Sequence, residues 1–140
     1  MMRSSKKSIQ HLIGVVMFSL ITAVLSSGCA ESNEADRVSL EQARAEFESG
    51  KAVLVDVRES SEHKTGVADG AVLLPMSELT KQPNLLPKNA DKPVLLICNT
   101  QNRSKATLQL LKQQGYQNIR YVEGGMSQWS AQGWPLVSPK

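Results

Sequence analysis

Aromatic residues are scarce in this 140-residue chain, with two Trp, two Tyr and two Phe, and cysteine is as scarce, with two. Two cysteines cannot staple a small disulfide scaffold. Charge of one sign is also missing. The formal net charge of +3 comes from Arg3, Lys6 and Lys7, which have no acidic neighbours; without them thirteen bases face thirteen acids. A neutral body has no charge-based reason to bind a polyanion, so no nucleic-acid partner is expected. There is no internal repeat or low-complexity tract, and scattered Val, Leu and Ile exclude a disordered tail. The length suits one domain. Long hydrophobic runs are absent as well: the longest, Leu12–Leu25, has fourteen residues. As a helix it would span about 21 Å, short of the roughly 30 Å hydrocarbon core.

A basic start followed by a short apolar run has the anatomy of an export signal. Ser26-Ser27-Gly28-Cys29-Ala30 then resembles the lipobox of bacterial lipoproteins, with Leu25 one place further from the cysteine than is usual. That resemblance implies a signal peptide over 1–28, a lipid anchor on Cys29 and a polar tether over 29–37. The protein is then exported, in the periplasm or cell envelope, and held at a membrane. Cleavage after Ala30, with Gly28 and Ala30 as the small residues that ordinary signal peptidase reads, is one alternative, and an uncleaved anchor, disfavoured by the length of the run, is another. With Cys29 acylated or removed, Cys98 is left as the only thiol of the mature chain, and a lone cysteine in an oxidising compartment calls for burial or a task.

The domain is expected over 38–137. Ser39 with Gln42 forms a capping-box pattern, Leu40, Ala43 and Phe47 recur at helical spacing and Gly50 follows, which predicts a helix over 40–48. Ala52–Val57, Ala71–Leu74, Val94–Ile97 and Ile119–Val122 read as short buried strands. A helix is expected from near Ser104 to Gly115, and another over Met126–Ala131. This alternation predicts an α/β fold. Residues 81–93, with three prolines, read as a surface connection, and Trp134 in the terminal WPLVSPK as packing on the domain. Asp56 and Arg58 at a strand end read as structural. His63 reads as a solvated residue of a polar loop. No Cys, His and carboxylate cluster has metal-ligand spacing, so neither metal nor organic cofactor is proposed.

Cys98 directly follows the VLLI strand, so Asn99–Arg103 must turn tightly into the next helix. Open α/β sheets place ligands at such strand ends. The helix N-terminus favours an anion beside the sulfur, and Arg103 is expected to add a full positive charge. The residue is then a nucleophile, or alternatively an inert buried cysteine at a strand end.

The segment Cys98-Asn99-Thr100-Gln101-Asn102-Arg103-Ser104 resembles the active-site loop of rhodanese-like sulfurtransferases. VLVDVRE at 53–59, GVADGA at 66–71, YVEGGMSQW at 121–129 and GWP at 133–135 follow that family in order. The resemblance implies a rhodanese-like parallel sheet with helices on both faces. It implies that Cys98 takes a sulfane sulfur from a small sulfur-containing anion such as thiosulfate, holds it as a persulfide and passes it to a thiol or cyanide. Asn99, Thr100, Gln101, Asn102, Arg103 and Ser104 would then cradle the anion. The family commonly has Gly where Gln101 stands, and the larger residue would be strained if the position needed a positive φ. Gly66-Val67-Ala68 replaces a frequent Gly-His-Ile. Cysteine-dependent phosphatases place one residue more between Cys and Arg than the four from Asn99 to Asn102. A binding or redox- and sulfide-sensing module without turnover is the alternative from another class.

Overall fold

The computed structural model describes residues 33–86 and 91–140. The expected signal peptide, Cys29 and the first part of the tether lie outside the described residues. Among those described, no helix is long and apolar enough to cross a membrane.

Five parallel strands form one sheet: β1 (Arg37–Val38), β2 (Val53–Asp56), β3 (Val72–Leu73), β4 (Val94–Ile97) and β5 (Ile119–Val122), in the order β1-β5-β4-β2-β3. The helices are α1 (Leu40–Glu48), α2 (Ser60–His63), α3 (Met76–Leu79), α4 (Asn102–Gln113) and α5 (Gly125–Ala131). The Ser39 hydroxyl caps α1 by accepting from the Gln42 amide at 3.2 Å, and Gly50 follows at φ +71°. β4 and β5 have the bounds expected from the sequence: β4 is an apolar run buried along its length, and β5 is buried at every position but Arg120.

Side-chain alternation along the strands builds two cores. Val55, Val57, Val94 and Leu96 point to one face and meet Leu108 and Leu111 of α4 and Leu79 of α3. Leu54, Leu95, Ile97 and Val122 point to the other and meet Leu40 and Ala43 of α1 and Met126 and Trp129 of α5. Leu54, Leu95, Leu96 and Ile97 are all fully buried, each worth about 1.5–3 kcal/mol of transfer free energy. Cys98, one residue beyond β4, continues its alternation and faces the α4 side.

β2 and β3 are each one residue shorter at both ends than expected, α5 starts one residue earlier, and larger departures from the sequence reading occur elsewhere. Arg37, expected in the tether, pairs with Tyr121 as part of β1, and Glu34–Asp36 before it forms a 3-10 turn tied to α4 by Asp36 and Lys112 at 2.5 Å. A two-residue edge strand has too little periodicity to be read from sequence. The connection after α3 is fastened: Pro83–Leu85 forms a 3-10 turn, Leu86 is buried and the Tyr116 hydroxyl donates to the Pro83 carbonyl. Helix α4 begins at Asn102, two residues before the expected Ser104.

Strand order places the site. From β2 the chain moves outward to β3, whereas from β4 it moves the other way to β5. The crevice between such diverging connections, beyond the carboxyl ends of β2 and β4, is where an open α/β sheet receives a ligand. Asp56, Arg58 and Cys98 all lie there.

Candidate active site

The sulfur of Cys98 occupies the place of a helix cap. Gln101 is the residue before α4 but its side chain makes no capping bond. Instead the backbone amide of Ser104, the third residue of the helix, donates to Cys98 Sγ at 3.4 Å. An N-cap side chain normally accepts from this amide. The Cys98 thiol donates in turn to Ser104 Oγ at 3.6 Å, and that hydroxyl donates to the Gln101 carbonyl at 3.0 Å. Cys98 is 1% exposed and Ser104 is fully buried. The positive end of α4 therefore acts on the sulfur.

The loop is oriented from behind by α5. Met126 and Ser127 donate their amides to the carbonyls of Cys98 and Asn99 at 2.8 and 2.9 Å. Peptides here are trans, so the N–H groups of Asn99 and Thr100 point away from α5. Among the described residues no protein group accepts from the amides of Asn99 to Arg103. This close approach needs Gly125: a Cβ there would lie 2.2–2.6 Å from the carbonyl oxygens of Thr100, Cys98 and Asn99, and φ is +59°. Gln101 sits at φ −159°, so the strain feared for a residue other than glycine does not arise. Its side-chain Oε1 accepts from the Gly124 amide at 3.1 Å, a second tie between loop and α5.

Arg103 does not present a free charge. Its guanidinium holds both oxygens of Glu62 at 2.5 and 2.7 Å, across 41 residues of chain. That fork pulls the Glu62 carboxyl down to about 2, and Glu62 raises Arg103 in return. Glu62 also accepts from the Glu59 amide at 3.0 Å, closing a capping box on α2. The sequence signal at Glu62 is the Glu-x-x-Glu spacing, which marks a helix start and says nothing of a distant arginine.

Asp56 and Arg58 form the buried pair expected of them. Arg58 Nε lies 3.0 Å from both Asp56 oxygens, Nη2 lies 2.7 Å from Oδ2, and Nη2 also donates to the Gly66 carbonyl at 2.8 Å. His63 corrects the sequence reading. It is 4% exposed, with Nε2 3.5 Å from Asp56 Oδ1 and without a hydrogen-bond partner among the described residues. As the last residue of α2 it folds inward, because the capping box turns the helix over the Asp56 carboxylate. A lone histidine in a polar stretch carries no periodic signal of that. Val67 and Ala68, which stand where the family often has His-Ile, are both buried, Ala68 in the α5-side core. No group of metal-ligating side chains occurs among the described residues. A surface cavity of about 360 Å³ beside the loop is lined by Arg58, Thr65, Asn99, Ser127 and Ser130 among others.

The model of the Rhodanese-like domain family matches residues 39–132. The chain belongs to this family. Among similar proteins, a sulfurtransferase of Allochromatium vinosum is 34% identical over 108 residues, which cover 77% of this chain and 97% of that one. Of the solved structures, a rhodanese-related protein of Thermoplasma volcanium is 31% identical with a TM-score of 0.65, over 74% of this chain and 98% of its own. The human single-domain sulfurtransferase TSTD1 is 30% identical with a TM-score of 0.60, over 69% and 96%. The rhodanese-like fold thus accounts for the parallel sheet with helices on both faces. The position of Cys98 at the N-terminus of α4, accepting from the Ser104 amide, is this chain's own geometry.

Proposed function

We propose that this protein is a sulfurtransferase working through a persulfide on Cys98. The observation that carries the reading is Cys98 Sγ in the cap position of α4, accepting from the Ser104 amide under a loop whose carbonyls are tied back to α5. The thiolate is the nucleophile, and the capping amide stabilises its charge. It attacks the outer sulfur of a donor such as thiosulfate; the donor's S–S bond breaks, sulfite leaves with the bonding pair, and Cys98 holds a persulfide anion. A thiolate or cyanide then attacks the terminal sulfur, and the Cys98 S–S bond breaks to restore the thiolate. The amides of Asn99 to Arg103 face the anions of both steps. No cofactor is required, since the sulfur rides on the protein.

Thiosulfate-to-cyanide transfer by the full chain in detergent tests this, beside Cys98→Ser and intact-mass analysis. Turnover lost in Cys98→Ser with one sulfur added to the unsubstituted protein supports the enzyme. The 1% exposure of Cys98 favours one other reading, a sensing module modified once without cycling. Persulfide formed without turnover on any acceptor would select it.

The proposal extends to location. The basic start, the apolar run Leu12–Leu25 and the lipobox-like segment support export and a lipid anchor on Cys29. Radioactive fatty acid should label the protein and fail to label Cys29→Ser.

A further inference from the structure

We propose that Glu62 sets the charge class of the sulfur donor, so that the site takes monoanionic sulfane donors, persulfides and thiosulfonates, in preference to dianionic thiosulfate. This rests on the persulfide reading of Cys98 and deepens it. Both arginines near the loop are matched by carboxylates: Arg58 by Asp56, and Arg103 by Glu62 in a two-point fork. Glu62 is itself pinned by the Glu59 amide, so its carboxylate cannot swing away without opening the α2 cap. The Glu59 carboxylate, which bonds Ser77, acts on Arg103 as a further negative charge. The nearest other cations in sequence are Lys64, exposed beyond α2, and Lys105, half-buried on α4.

What remains to attract an anion is the helix end and the loop amides. A helix N-terminus supplies about half a unit of positive charge. Attack of the Cys98 thiolate on thiosulfate gathers three negative charges, and attack on a thiosulfonate gathers two. In the latter a sulfinate leaves with the bonding pair and Cys98 keeps the sulfur, as before. The extra charge meets no free cation at Arg103, which is the cost Glu62 imposes. Glu62 touches neither sulfur; it acts through Arg103 and is a specificity-determining residue.

The experiment compares kcat/KM of the full chain for thiosulfate and for benzenethiosulfonate. Glu62→Gln keeps a capping-box residue at that position while removing the charge. The thiosulfate-to-thiosulfonate ratio should rise about tenfold, mainly through the KM of thiosulfate, with the thiosulfonate value within about twofold. Glu62→Asp, which keeps the charge, should restore the original ratio. A fall or rise by one common factor for both donors would mean a structural role alone and overturn the inference. Should Glu62→Gln not fold, salt dependence decides: for the unsubstituted protein, thiosulfate kcat/KM should stay within about twofold between roughly 0.01 and 1 M salt, whereas a steep fall would reveal an unmatched cation and sink the idea. No persulfide from either donor in the unsubstituted protein would instead defeat the underlying reading, an outcome that the mass measurement separates.

Discussion

A methyl group on Gly125 would lie 2.2 Å from the Thr100 carbonyl oxygen, nearer than any carbon can sit, and all three oxygens it would meet belong to backbone. Backbone cannot step aside as a flexible side chain can. Gly125→Ala should therefore push the Cys98 loop off α5, breaking the bonds from Met126 and Ser127, and cost about 2–4 kcal/mol. Denaturant unfolding measures the loss; a variant as stable as the parent would show that α5 does not hold the loop. Glu62 offers a second test at this scale. Its carboxyl falls from 4.5 to about 2 on folding. A depressed carboxyl stabilises the fold above its unfolded value, so this contribution is present above about pH 4.5 and lost as pH falls towards 2. Because a third of the side chain is exposed, the amount is of surface size, about 1 kcal/mol or less. Glu62→Gln should show a shallower loss of stability over that window than the parent, and identical slopes would mean the Arg103 fork adds nothing to folding.

Among the elements, those read well from sequence bury both faces. β4 is apolar from Val94 to Ile97 and Cys98 directly follows it, so the strand and the cysteine's place at its tip were both legible. Helix α4 was less so. A serine before an apolar stretch reads as a cap, yet Ser104 lies inside the first turn and a cysteine six residues back does the capping. That pairing is made by the loop's path, which no local pattern records. The same holds for His63 and Glu62, whose partners come from β2 and α4. Gln101 is the opposite case, where family habit suggested glycine and the structure gives the side chain a task. With φ at −159° and Oε1 bonded to the Gly124 amide, Gln101→Gly gains no relief of strain. It loses one hydrogen bond and adds freedom to the unfolded chain, together about 1–2 kcal/mol. A denaturation midpoint unchanged or raised by Gln101→Gly would refute the latch between the β4–α4 loop and α5.

At the scale of the whole molecule, the sheet divides the hydrophobic interior into two cores that serve different ends. Cys98 lies in the α4-side core with Leu96 and Leu108, whereas Trp134 packs on the α5-side core. Trp134 meets Trp129 edge-on at 5.0 Å between ring centroids and carries the Arg44 guanidinium 4.5 Å above its own ring. Nearby, Val137 pairs with Val67 and covers the start of the 66–71 segment. Trp134 thus clasps the α5-side core, whereas Leu136, two residues on, lines the cavity beside the loop. Trp134→Ala should lower stability by about 1–3 kcal/mol, the share due a half-buried aromatic, while leaving the rate of Cys98 persulfide formation at 25 °C within about twofold. Leu108→Ala, a fully packed leucine on α4, should cost about 2–5 kcal/mol and also slow persulfide formation, because it loosens the helix whose third amide caps the sulfur. Thermal melts with persulfide rates on the two variants separate these outcomes. Equal rate losses would mean that the sheet transmits packing changes between its faces, and that the site depends on the whole interior rather than on the core beneath α4.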